Sequence, residues 1–179
     1  MICRFKKNKK AFTLIEILVS VSIIIFVILA TSSIFRSTMS NQKKISIDSI
    51  VLSDVNYFLK LVAYNVKNAE ISNGSICGIS NNKFFDIQSN FIAFIKDGEC
   101  YYFEAIDDSG MKRLVMYTDS KGENYISSKK TNIVGLNFEV EDFVEYGQPL
   151  LTVSIQAAPA DEPENIIQAQ TSVSINYYE

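Results

Sequence analysis

The 179-residue chain has no histidine and no tryptophan, only seven glycines, three prolines and three cysteines. Without histidine it lacks the commonest general base and the commonest metal ligand. Its serines therefore have no imidazole to activate them as nucleophiles. Glycine is scarce, and no Gly-x-x-x-x-Gly-Lys phosphate loop occurs. The cysteines, Cys3, Cys77 and Cys100, do not form a Cys-x-x-Cys pair. Carboxylates remain for acid–base work, and Glu139, Glu141, Asp142 and Glu145 cluster. Two of them fall on the polar side of an alternating stretch, where a solvated surface explains them. These absences exclude most hydrolytic, metal-dependent and nucleotide-dependent chemistry. No enzyme activity, cofactor or metal is expected.

Charge is also unevenly spread. The formal net charge is −3, but five of the 17 basic residues, Arg4, Lys6, Lys7, Lys9 and Lys10, lie in the first ten positions. Without them, 12 basic side chains face 20 acidic ones, a balance of −8. An acidic exterior opposes general nucleic-acid binding, which requires neutralised phosphates. It also keeps a protein soluble, which is the simpler explanation.

The basic head leads into an apolar run over residues 12–35, where Glu16 is the sole charge. These 24 residues suffice to span a bilayer as a helix. A carboxylate inside such a span costs roughly 2.5–3.5 kcal/mol at mid-bilayer and less near its edge. Its position asks for a partner. Lysines and arginine on the amino side predict that this end stays cytoplasmic.

Phe12-Thr13-Leu14-Ile15-Glu16 after a lysine-rich head resembles the signature of type IV pilins and type II secretion pseudopilins. The resemblance is strong over about the first 35 residues and architectural beyond them. It implies cleavage between Ala11 and Phe12 by a prepilin peptidase, where the family usually has glycine at the position of Ala11. It implies methylation of the new amine on Phe12. It implies that Glu16 pairs with the amino terminus of a neighbouring subunit. A glutamate one turn from its own Phe12 amine, near a helix amino terminus, is favourable without any neighbour. The implied partners are other pilin or pseudopilin subunits, the peptidase and methyltransferase, a membrane assembly platform and the cytoplasmic membrane. Many major pilins carry a proline in the apolar half. Here none precedes Pro149, so an unbroken helix is expected.

The helical pattern continues past Arg36. Val51, Val55, Phe58, Val62, Val66 and Ala69 recur at three- and four-residue spacing, and Leu52 and Leu59 widen the stripe. Lys60, Asn65, Lys67 and Asn68 are expected to face elsewhere. Asn73-Gly74 reads as the stop. A helix over 12–70 would measure about 88 Å.

Beyond Asn73 the period changes to two. Short apolar runs at 76–79, 84–87, 91–95, 101–105 and 111–117 are separated by turn signals such as Asn81-Asn82, Asp97-Gly98 and Ser109-Gly110. Val134, Leu136, Phe138 and Val140 alternate with polar residues. So do Leu151, Val153, Ile155 and Ala157, and then Ile167, Ala169, Thr171, Val173, Ile175 and Tyr177. One polar face per strand predicts an antiparallel sheet with one face buried. The stripe 55–69 is its expected cover, and 159–164 a polar hairpin loop.

The expected fold is α+β: a long amino-terminal helix, membrane-spanning in its first half, packed on an antiparallel β-sheet domain, pilin-like. The expected parts are a basic leader (1–11), a transmembrane and assembly helix (12–35), an amphipathic continuation (36–72) and a β-rich periplasmic or extracellular head (73–179). One helix followed by many strands and a final long hairpin looks like a minor pseudopilin of the J group. A competence-type minor pilin has similar features. Some secretion pseudopilins bind calcium, and Asp107-Asp108-Ser109-Gly110 and Asp119-Ser120-Lys121-Gly122-Glu123 supply oxygens. Neither has the spacing of an EF-hand loop, and plain turns explain both. Cys77 and Cys100 would lie outside the cytoplasm, where a bridge between them and a pair of buried thiols are both open readings. Tyr101, Tyr102, Tyr177 and Tyr178 form either a contact patch or pairs split between core and rim.

The rival class is a membrane-anchored or secreted β-rich binding module, such as an adhesin or DNA-uptake subunit. Residues 17–29 would then be the core of a secretory signal, cut after Ala30-Thr31-Ser32. Glu16 fits that core poorly. A mature start at Phe12 marks the pilin, Ser33 ordinary secretion and Met1 an uncleaved anchor.

Overall fold

A computed structural model describes residues 13–74, 77–88, 90–142 and 149–175. The order is one helix, α1 (Leu14–Val66), followed by eight strands: β1 (Phe85–Gln88), β2 (Phe91–Lys96), β3 (Glu99–Asp108), β4 (Met111–Thr118), β5 (Gly122–Tyr125), β6 (Thr131–Asp142), β7 (Pro149–Pro159) and β8 (Ile167–Ser174). The chain divides into two units, residues 1–44 and residues 45–179. The arrangement is α+β, with antiparallel pairing throughout.

The second unit holds two sheets, ordered β1-β2-β3-β4-β5 and β6-β7-β8. The alternating pattern alone pointed to one antiparallel sheet. The division follows the connection at 126–130, where the ladder of β5 stops and β6 starts a separate sheet. Two hairpins of the first sheet turn on two-residue loops. Asp97 and Gly98 have φ of 53° and 74°, and Ser109 and Gly110 have φ of 60° and 86°. Positive φ at both central positions gives the loop the twist of its flanking strands.

One core lies between α1 and both sheets. The helix contributes Val51, Val55, Phe58, Leu59, Val62 and Val66. The first sheet contributes Phe94, Phe103 and Leu114, and the second Phe138, Leu151, Val153 and Ile155. Phe58 meets Phe103 edge to face, with centroids 5.8 Å apart. Phe94 stacks on Phe103 and on Tyr101.

Several expectations change in detail. α1 ends at Val66 rather than at Asn73-Gly74. The Asn68 and Ala69 amides bond to carbonyls only three residues back, and the Glu70 amide bonds to Ile95 O at 2.8 Å. The chain is thus drawn into the first sheet before another helical turn forms. Leu52 is exposed, outside the buried stripe. Asn65 is buried instead of facing solvent, because its amide bonds to Leu61 O and its Oδ1 accepts from Lys96 Nζ at 3.0 Å.

Val134 points outward although Leu136 and Phe138 point in. The β6–β7 register shifts between Ile133 and Gly135. This bulge reverses the alternation, so Ile133 takes the inner place. The short strand β5 has no apolar alternation to mark it in the sequence. The run at 76–79 forms no strand in its described part, 77–79.

A second, smaller cluster covers the far face of the first sheet. Ile79 packs there with Ala93 and Ile95. Its loop is organised around Ser72, whose hydroxyl donates to Ile79 O at 3.0 Å and accepts from the Gly74 amide at 3.0 Å. A disulfide from Cys77 to Cys100, with Cα atoms 5.6 Å apart, ties this loop to β3.

Candidate assembly helix

In the first unit the helix starts at Leu14, directly after Thr13. The Glu16 amide bonds to the Thr13 carbonyl at 3.1 Å and to its hydroxyl at 3.4 Å. Thr13 thus caps the helix, and Glu16 occupies the third helical position. Thr-x-x-Glu is the capping-box pattern. That signal lies within the pentapeptide Phe12-Thr13-Leu14-Ile15-Glu16 itself. Glu16 is therefore in the first turn, exposed, where the helix dipole favours a negative charge.

The stretch that follows, from Ile17 to Phe35, is largely apolar. An 18-residue window of α1 reaches a mean hydropathy of 2.8, with none of it buried by the chain. Phe26 is 73% and Leu29 63% exposed. By length and composition the helix can cross a membrane. Its hydroxyl groups are compatible with that. Ser20, Ser22, Thr31, Ser32 and Thr38 each donate to the carbonyl four residues back, at 2.7–2.9 Å. Ser33 reaches three residues back. Each donor is satisfied inside the helix, so lipid need not supply a partner.

In the second unit the helix is fixed by polar contacts as well as by the core. Asp54 accepts from the Ser128 amide at 2.9 Å and from the Thr131 hydroxyl. Asp48 accepts from Asn165 Nδ2 at 2.9 Å. Lys96 Nζ reaches Asn65 and lies 5.0 Å from the Tyr64 ring and 5.6 Å from the Tyr101 ring. The contacts made by the helix join residues 31 to 117 positions apart, and no local pattern announces them.

Ala11 and Phe12 lie outside the described residues, as do Cys3, Glu145, Tyr177 and Tyr178. Both candidate calcium turns take part in local hydrogen bonds. Asp107 accepts from the Gly110 amide at 2.9 Å. Asp108 pairs with Arg113 at 2.9 Å, and this guanidinium holds the Asp108 carboxyl below its usual range. In the other turn Ser120 donates to Glu99, and the Lys121 amide to Thr118. Among the described residues no group of three or more acidic, cysteine or histidine side chains is placed to hold a metal. Tyr101 and Tyr102 fall on opposite faces of β3, the first against Phe94 and the second against Phe91. Burial raises both phenols above the ordinary tyrosine range.

Residues 6–32 match the family model of the prokaryotic N-terminal methylation motif. The chain carries a prepilin-type amino terminus. That match supports a type IV pilin-like family, on a small part of the chain. No curated protein and no solved structure matches the chain. The motif implies processing by a peptidase and assembly with other pilin subunits, and its family is structural rather than catalytic. Together the motif and the apolar helix are consistent with a pilin anchored in the inner membrane.

Proposed function

We propose that this chain is a structural minor pilin or pseudopilin subunit, most like the J group, of a type IV pilus or type II secretion-like filament. Its proposed place is the filament tip. The carrying observation is that the methylation motif at 6–32 coincides with the start of a helix whose most apolar 18-residue window is left unburied by its own chain. One helix followed by eight strands and a final β7–β8 hairpin supports the J-type reading.

In this reading residues 1–11 are a leader removed between Ala11 and Phe12, and the Phe12 amine is methylated. Residues 12–35 wait in the cytoplasmic membrane with the basic end inside. Residues 36–72 continue as an amphipathic segment, and 73–179 form a periplasmic or extracellular head. A prepilin peptidase and methyltransferase, the assembly platform and other pilin subunits are the partners.

Glu16 supplies the reason for ordered assembly. Its carboxylate is poorly solvated in lipid. A neighbour's Phe12 ammonium offsets that cost in a low-dielectric setting, where opposite charges attract strongly once desolvation is met.

Co-expression with a prepilin peptidase tests the reading. The amino terminus, read by mass spectrometry, is expected at a methylated Phe12. A start at Ser33 or an intact Met1 overturns it.

A further inference from the structure

We propose that Asn73 is a site of spontaneous deamidation, held in check by the hydroxyl of Ser72. The proposal is independent of how the amino terminus is processed. Asn73-Gly74 is the sole Asn-Gly pair of the chain. Asparagine carboxamides are labile, and the nitrogen that attacks one belongs to the main chain of the next residue. Glycine shields that nitrogen least, because it has no Cβ. The fold itself calls for glycine here. Gly74 has a φ of 79°, in the left-handed region that glycine enters without strain. A Cβ at this position would also come within 3.4 Å of Asn81 Cβ. Asn73 and Gly74 are both exposed, so water reaches the pair.

The reaction balances with water alone. Hydroxide removes the proton of the Gly74 amide, and that nitrogen forms a bond to Asn73 Cγ. The Cγ–Nδ2 bond breaks, and Nδ2 leaves as ammonia after taking a proton from water, which regenerates the hydroxide. The product is a five-membered succinimide. Water then opens it. Cleavage of the bond from Gly74 N to Cγ gives aspartate, and cleavage of the bond from Gly74 N to the main-chain carbonyl carbon gives isoaspartate. No enzyme, cofactor or oxidant is needed.

Ser72 opposes the first step. It is 1% exposed and is the hub of its loop. Its amide donates to Lys83 O at 2.9 Å, and its carbonyl accepts from the Asn82 amide at 2.9 Å. Its hydroxyl donates to Ile79 O and accepts from the Gly74 amide, both at 3.0 Å. The proton that must leave Gly74 is therefore directed at a buried oxygen whose own proton is committed to Ile79. Hydroxide meets that proton only when the loop opens locally. The Cys77–Cys100 bridge and the packing of Ile79 on Ala93 and Ile95 keep the loop closed. Conversion would then be hard to accommodate. An isoaspartyl link lengthens the main chain directly after Ser72 and would displace the Gly74 amide from its hydroxyl.

The test follows the full chain in detergent and mildly alkaline buffer, with Cys3→Ser so that no free thiol exchanges with the bridge. Peptide mass spectrometry reads the conversion of amide to acid at each asparagine, and chromatography separates aspartyl from isoaspartyl product. Unfolding in urea with the bridge intact is expected to speed conversion at Asn73 about tenfold or more, because local opening is then no longer required. Folded Ser72→Ala is expected to convert about fivefold faster than wild type, the factor that corresponds to one hydrogen bond of about 1 kcal/mol. Val62→Asn weakens the core but leaves Ser72 in place, and it should keep the wild-type rate under folding conditions. Absence of conversion at Asn73 in urea overturns the proposal, as does a folded wild type that converts as fast as the unfolded chain. A Ser72→Ala rate no higher than wild type also overturns it. So does a Val62→Asn rate raised as much as that of Ser72→Ala, which would assign the protection to folding at large.

Discussion

Val62→Asp probes the join between helix and sheets most directly. Val62 is fully buried, on the same helix face as Val55, Phe58 and Val66. Removing its apolar contact costs about 1.5–3 kcal/mol. An ionised carboxylate left there without a partner costs about 3–5 kcal/mol more. Together these approach the roughly 5–15 kcal/mol that holds a typical domain folded. The carboxyl can relieve part of the cost by staying protonated, which raises its folded-state pKa above the ordinary value of about 3.9. The folded chain then binds more protons than the unfolded one. Stability falls as pH rises, by about 1.4 kcal/mol per unit, until the raised pKa is passed. Val62→Asn loses the same apolar contact without acquiring that slope. The assay is urea unfolding of the full chain in detergent, followed by tyrosine fluorescence, since the chain has nine tyrosines and no tryptophan. Two results refute the reasoning: a midpoint for Val62→Asp equal to wild type, or identical pH dependence for the aspartate and asparagine variants.

Three further outcomes follow from the geometry. Asp108 has a lowered pKa because Arg113 donates to it. Its contribution is complete above the unfolded value and disappears as pH falls through the lower folded value. The stability gap between wild type and Asp108→Asn should therefore narrow below about pH 4, and a gap constant from neutral pH to pH 2 refutes the pairing. Cys77 and Cys100 are 23 positions apart, so opening their bridge should cost about 3 kcal/mol by chain entropy. Thiol labelling of the exported, unfolded protein without reductant should find neither cysteine reactive, and labelling of both excludes the bridge. Glu16→Ala should insert in membranes normally, since it removes a charge from an apolar span, yet crosslink less to partner pilins in sheared filaments. Wild-type crosslinking both in membranes and in sheared filaments would show that Glu16 is not the assembly determinant.

The helix and most strands were legible because each depends on a local period. Val51, Val55, Phe58, Val62 and Val66 repeat every three or four residues, and all are buried. The alternation of β7 and β8 likewise matches their faces. Failures occurred where a distant contact overruled the local pattern. Leu52 has the hydrophobicity of its neighbours but falls beyond the arc that the sheets cover. Asn65 has the polarity of a surface residue, yet Lys96 reaches it from a hairpin 31 positions away. Val134 keeps the inward period of Leu136 until one extra residue at the bulge turns it out. The end of α1 was missed for a similar reason. Asn73-Gly74 is a competent stop, but the Glu70 bridge to Ile95 ends the helix sooner.

The two parts of the candidate assembly apparatus differ in the same way. Thr13 and Glu16 act three residues apart, so their helix-starting role is written in one short motif. Apolarity over 12–35 requires no fold at all to be recognised. The head offers no such signal. Asp54 and Asp48 read as ordinary polar residues of a helix, and their significance appears only when Ser128 and Asn165 arrive from loops and Thr131 from the start of β6. The open edge of β8 is equally silent in sequence, because Ile167–Ser174 alternates like a strand with neighbours on both sides. Only the strand order shows that β8 has a single neighbour among the described residues. Recognition by the membrane and the peptidase therefore depends on a local segment, whereas recognition through the head depends on contacts that exist only after folding. Substitutions at Glu16 and at Asp54 should accordingly separate the two: the first alters assembly with the head's stability unchanged, and the second lowers the head's stability with membrane insertion unchanged.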